Sequence, residues 1–171
     1  MTDTKSQLTV TQTELNSTQQ ELVQTNQTLD NLKSIFLHNG TVYNNHLYFT
    51  SNRQPANITL FQQKCQEKGG YLAEINDEEE HKFLKSYLTS LNHDAHQYYF
   101  IGITDEGHTG RWTYMTSGDD VTFTKWGSSE PGNNGRDHCV YWRHTATLDD
   151  WADYYCVNNH GIFRYLCEMN L

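Results

Sequence analysis

From Leu8 onward an apolar residue returns every seven positions, at Leu15, Leu22, Leu29 and Phe36, with Thr4, Thr11, Thr18, Thr25 and Leu32 interleaved at alternating steps of three and four. A heptad of this kind commits the segment to a helix that must share its apolar seam with another helix. Residues 1–36 also contain no Gly, Pro, Cys, Trp or Tyr, and all of these lie in the rest of the chain, from Gly40 and Tyr43 onward. The chain therefore reads as two domains, a coiled-coil neck over 1–36 and a globular domain over 37–171. Placing the Leu series at a and the Thr series at d describes the seam best. The opposite choice buries Lys5, Gln12, Gln19, Asn26 and Lys33 in succession. The alternative to a coiled coil is an unstructured polar tail, since Thr, Gln and Asn dominate.

A Thr layer gives up about 1 to 2 kcal/mol of methylene burial against a Leu layer, so the seam is a weak oligomerisation device. β-Branched residues at d with Leu at a lean away from a parallel dimer and towards a homotrimer. The remaining composition excludes other partners. The net charge is −9 and no two of the 12 Lys and Arg residues are adjacent, which leaves no footprint for nucleic acid. No stretch approaches the 18 to 20 apolar residues of a membrane span, and Met1-Thr-Asp-Thr-Lys5 lacks the apolar stretch of a signal peptide, so no membrane contact is expected within this chain. Asn16, Asn26, Asn39 and Asn57 each open an N-glycosylation triplet. With four cysteines in a compact chain, they point to a secreted protein or the ectodomain of a membrane-anchored one. In the heptad, Asn16 falls on the outward b position and Asn26 on e, where a glycan would crowd the seam.

In the globular part, Thr59-Leu-Phe-Gln62 reads as a capping box opening a helix over 59–68 that Gly69-Gly70 stops. A second helix begins near Asn76, with Glu78, Glu79 and Glu80 in its first turn and Phe83, Leu84, Tyr87, Leu88 and Leu91 along one face. Tyr98–Ile101, Gly110–Thr113, Val121–Phe123, Val140–Trp142 and Ile162–Leu166 are short β-forming runs between turn residues. Two helices followed by a small irregular sheet give an α+β fold. Residues 128–137, Ser-Ser-Glu-Pro-Gly-Asn-Asn-Gly-Arg-Asp, form a long polar loop, and loops of that length tend to be functional. No nucleophile elbow, His-Glu-x-x-His or phosphate-cradling glycine loop occurs, so the chain does not read as an enzyme.

From about Tyr43 to Leu171 the chain resembles a C-type lectin domain of the short, four-cysteine form. Cys65 sits in the first helix, Phe100-Ile-Gly-Ile103 stands for the family's Trp-Ile-Gly-Leu strand, and Trp126 precedes a Glu130-Pro131 loop that Cys139 closes. Trp151-Ala-Asp153 matches the Trp-Asn-Asp strand three residues before Cys156, and Cys167 lies in the last strand. Phe100–Glu106 with Gly110-Arg-Trp112 is most similar to the mannose-binding collectins, which also carry a coiled-coil neck. Four cysteines allow three connectivities. The resemblance implies Cys65 with Cys167 and Cys139 with Cys156.

The resemblance also implies one Ca²⁺ site that takes sugar hydroxyls, with Glu130, Asp137 and Asp153 as its carboxylates, aimed by a cis proline at Pro131. Gly132 and Ala152 stand where the family has Asn, so two amides that would bind both metal and sugar are absent. Asn133, one residue along, is the candidate to fill the first vacancy. A weak site, on the order of 0.1 to 1 mM, is expected. Glu130 keeps the first residue of the mannose-type pattern, which favours glycans of the mannose, fucose or N-acetylglucosamine kind. Trp142, Tyr141 and His144, just before Trp151, are candidates for an apolar face on which a sugar could stack, with a core role as the alternative for Trp142. The function implied is an extracellular, calcium-dependent, oligomeric lectin. The alternative is a calcium-independent domain that binds a protein partner.

Overall fold

The computed structural model describes residues 2–37, 40–93, 97–105, 107, 110–132, 135, 138–145 and 147–171, with the side chains of all of these except 2–6, 36 and 37. They fall into two compact units, Met1–Leu37 and His38–Leu171.

The first unit is a single helix, α1 (Thr2–Leu37). Threonine is a weak helix former, and here its hydroxyl is tied back into the helix. Thr11, Thr18 and Thr25 donate to the carbonyls of Gln7, Glu14 and Glu21 at 3.1, 3.0 and 2.8 Å. Leu8, Leu15, Leu22 and Leu29 are all exposed.

The second unit contains β1 (Thr41–Tyr43), β2 (His46–Thr50), β3 (Gln54–Asn57), α2 (Ile58–Gln66), β4 (Tyr71–Leu72), α3 (Glu78–Ser90), β5 (Gln97–Thr104), β6 (Thr113–Tyr114), β7 (Cys139–His144), β8 (Asp149–Tyr154) and β9 (Val157–Asn170). The sheet runs β1-β2-β9-β5-β7-β8. The last strand is its hub, antiparallel to β2, β3 and β4 and parallel to β5. Helix α3 turns Leu84, Tyr87 and Leu88 into a core with Tyr99, Ile101, Trp142, Trp151 and Leu166. Two disulfides brace this unit: Cys65–Cys167 joins α2 to β9, and Cys139–Cys156 joins the start of β7 to the turn after β8.

Three sequence expectations change. Helix α2 is capped by Asn57, whose side chain accepts from Leu60 N at 3.0 Å, so the cap lies two residues before Thr59. Asn57 has the extended backbone (φ −155°) that a cap requires, whereas Thr59 is already inside the helix. Val121–Phe123 forms no strand, because Asp120 makes a single bridge to Thr113 and the ladder stops there. Of the Gly110–Thr113 run only Thr113 is strand, and with Tyr114 it forms β6, paired with Thr104 and Ile103.

Three carboxylates of this unit are buried, and each is hydrogen-bonded. Glu80 accepts from Tyr48 Oη at 2.6 Å and Asn76 N at 2.8 Å, and Glu74 accepts from Thr116 N at 2.6 Å. Glu168 accepts from Glu74 N at 2.9 Å and Tyr71 Oη at 3.1 Å and contacts His46 Nδ1. Burial pushes the Glu74 and Glu80 carboxyls above their ordinary range.

Candidate functional site

The alternation of β7 sorts the residues on either side of Cys139. Val140, Trp142 and His144 turn into the core, while Tyr141 and Arg143 turn to the other face. Arg143 lies opposite Asp150 of β8, and Tyr141 lies opposite Ala152. Arg143 Nε donates to Asp150 Oδ1 at 2.6 Å, and its Nη1 reaches Glu130 Oε1 at 3.4 Å. Gly127 belongs to this arrangement, because a Cβ there would collide with both the guanidinium and the Asp150 carboxylate.

The Glu130–Pro131 peptide is cis. Beyond it, Gly132 N donates to Asp153 Oδ1 at 2.7 Å, which ties the loop to the end of β8. Glu130 and Asp153 are thereby brought carboxylate to carboxylate. Burial first, and then a hydrogen bond shared with Asp153, raises the Glu130 carboxyl above its ordinary range against the opposing pull of Arg143. Two carboxylates in one place require a proton or a cation between them.

Of the expected ligands, Glu130 and Asp153 therefore meet, whereas Asn133 and Asp137 lie outside the described residues. No group of three or more His, Cys, Asp or Glu poised for a metal is found among the described residues. The two carboxylates suit a hard cation, and the Gly132 amide already uses one Asp153 oxygen. Ala152 is buried and offers no side-chain oxygen.

Two expected sugar contacts are corrected. The Trp142 ring is wholly buried, stacked on His81 at 4.2 Å with its Nε1 donating to Asp149 at 3.0 Å. His144 is buried beside it, with Nε2 3.3 Å from Thr89 Oγ1. Trp142 presents no face to a ligand, because the even-numbered positions of β7 are the inward ones, and His144 borders a cleft with Lys85, Thr89 and Leu148 on that same side of the strand. Tyr141 is the half-buried aromatic on the outward side. Arg143, which the sequence reading missed, had a signal: it is two residues from Tyr141 on a strand, and so shares its face. Among the glycosylation candidates, Asn16 and Asn26 are exposed on α1, Asn57 caps α2, and Asn39 lies outside the described residues.

No helix among the described residues is long and apolar enough to cross a membrane. The family model for the lectin C-type domain matches residues 54–169. An α-N-acetylgalactosamine-specific lectin of Patiria pectinifera is 30% identical over 135 residues, 78% of this chain and 76% of that one. A perlucin-like protein of Mytilus galloprovincialis is 29% identical over 106 residues, 61% of this chain and 64% of its own length. Among solved structures, the C-type lectin domain of murine dendritic cell inhibitory receptor 2, in complex with an N-glycan, aligns with TM-score 0.64 and 25% identity. That alignment covers 78% of this chain and 97% of that domain. With the fold, both disulfides and the Glu130-Pro131 loop in agreement, the chain belongs to the C-type lectin domain family, a family of carbohydrate-binding lectins and not of enzymes.

Proposed function

We propose that this chain is an extracellular, calcium-dependent glycan-binding domain whose ligand sits where the Glu130-Pro131 loop meets β8. The observation that carries the reading is the meeting of Glu130 and Asp153, two carboxylates held together by the Gly132 amide. Asp137 and Asn133 complete the proposed ligand set. Ca²⁺ bound there supplies open coordination positions for two vicinal sugar hydroxyls. Glu130 and Asp153 then accept hydrogen bonds from those hydroxyls, which orients the ring, and mannose-type equatorial pairs are the preferred ligand. With no side-chain amide at Gly132 or Ala152, affinity for both ion and sugar falls.

Weak single contacts gain from multiplicity, and α1 offers the means. Because Thr11, Thr18 and Thr25 spend their hydroxyls inside the helix, they turn methyl groups outward beside Leu8, Leu15 and Leu22. Glu14 and Glu21 fall at g, opposite Gln19 and Asn26 at e in a parallel assembly but opposite each other in an antiparallel one. A parallel homotrimer follows. Sedimentation of the whole chain should give three times 19.9 kDa, falling to the monomer in Leu15→Asn/Leu22→Asn. A monomeric parent chain contradicts the neck.

Calorimetric titration of Ca²⁺ into the parent and into Asp153→Asn tests the site. The parent should bind about one ion in the 0.1 to 1 mM range and the variant at least tenfold more weakly. Equal heats from both would refute the assignment. A second reading, a calcium-independent domain for a protein partner, is favoured by the Arg143 guanidinium, which already neutralises Glu130. It predicts no Ca²⁺ heat in either protein.

A further inference from the structure

The outward face of β5, β7 and β8 is aromatic, which the family pattern around Glu130 does not require. Tyr98 and Tyr141 meet edge to face at 5.5 Å, and Tyr141 and Tyr154 do so at 5.4 Å. Phenylalanines share this face with them: Phe100 lies opposite Tyr141, and Phe163 is 5.3 Å from Tyr154 and 5.3 Å from Phe100. The phenylalanines are buried, while Tyr98, Tyr141 and Tyr154 are each only half-buried. A ring that is apolar on its face and carries a hydroxyl at its edge suits a ligand with the same division, and a pyranose has both an apolar C–H face and a rim of hydroxyls.

The row is continuous with the candidate site. Tyr141 shares one strand face with Arg143, two residues on, whose Nη1 reaches Glu130 Oε1 at 3.4 Å. Both Glu130 and Arg143 act electrostatically on the Tyr141 hydroxyl, which burial first of all pushes up to about 12. A sugar held at Glu130 and Asp153 would leave its next residue above these rings.

We infer that Tyr98, Tyr141 and Tyr154 form a second subsite that stacks the pyranose adjoining the one held at Glu130 and Asp153, so that the chain reads a neutral oligosaccharide and not a single sugar. The inference rests on the glycan-binding reading above and deepens it.

The test compares methyl α-mannoside with an α-linked mannotriose, both in millimolar Ca²⁺, on the parent chain and on Tyr98→Ala. The trisaccharide should bind the parent about fivefold more tightly than the monosaccharide, and Tyr98→Ala should lose that preference while keeping monosaccharide affinity. Because Tyr98 is half-buried, a second measurement uses the unmutated protein labelled with 3-fluorotyrosine. Mannotriose should shift the ¹⁹F resonances of Tyr98, Tyr141 and Tyr154 and methyl mannoside should not, with Tyr43, stacked on Phe83, as the reference. Equal affinity for the two sugars, or an unmoved spectrum, overturns the subsite and leaves the Glu130–Asp153 site standing. Binding of neither sugar overturns both. Resonances that move with protein concentration alone would assign this face to a second copy of the chain and overturn the subsite.

Discussion

Arg143 is the residue that most directly sets the strength of the proposed ion site. Its Nη1 lies 3.4 Å from Glu130 Oε1, and both side chains are about one-fifth exposed. Two unit charges at that separation attract by about 1 kcal/mol in the dielectric of water and by several times more at the effective dielectric of a protein surface. Exposed ion pairs fall at the low end after solvent screening, so about 1 kcal/mol is the figure to carry forward. A cation that takes Glu130 must withdraw it from the guanidinium. Arg143→Met should therefore tighten Ca²⁺ binding about fivefold. The same substitution strips Asp150 of its 2.6 Å partner, and the freed carboxylate would itself attract a cation. The decisive variant is thus Arg143→Met/Asp150→Asn, compared with Arg143→Lys, which keeps the charge. Calorimetry at fixed ionic strength reads all three. A double variant that binds Ca²⁺ no more tightly than the parent would refute the competition between Arg143 and the ion.

Other expectations concern the scaffold. Burial holds the His81 imidazole below its ordinary pKa, so from about pH 6.5 downward the unfolded chain takes up a proton that the folded one refuses. The melting temperature of the parent should fall more between pH 7.5 and 5.5 than that of His81→Leu, and parallel falls would contradict this. By the chain-entropy model, Cys65→Ser/Cys167→Ser, which opens a bridge of sequence separation 102, should cost about 5 kcal/mol, and Cys139→Ser/Cys156→Ser, of separation 17, about 3. Urea unfolding midpoints in the reverse order would show that local packing outweighs loop closure. In unglycosylated protein Asn57→Ala should cost about 1 kcal/mol and Thr59→Ala less, since the cap belongs to Asn57, and the opposite order would return the cap to Thr59.

The parts of the fold that announce themselves in the sequence are those with a period. Helix α3 shows because Leu84, Tyr87 and Leu88 recur at helical spacing and bury together, with acidic residues at its N-terminus. The strands without alternation do not show. β3 carries a proline and shifts register between Pro55 and Ala56, and β8 opens with two aspartates. Val121–Phe123 has strand-forming residues and no partner strand, a reminder that propensity does not supply a ladder. At the site, the resemblance to the family's Glu-Pro loop and Trp-Asn-Asp strand carried Glu130 and Asp153, which the fold brings together from a loop and a strand end. The two faces of β7 were harder. Trp142 and Tyr141 are both aromatic, and only the packing of His81 and Asp149 around Trp142 decides which one turns inward. Arg143 stayed hidden for a related reason: its partners Asp150 and Glu130 are distant in sequence and meet it only through strand register and the loop.

Retention on immobilised mannose, with and without a chelator, tests the central claim most directly. The account predicts that the whole chain is held in millimolar Ca²⁺, released by EGTA, and not held at all when Asp153→Asn replaces the parent. A chain that passes straight through, or one that stays bound equally in both buffers, would contradict it.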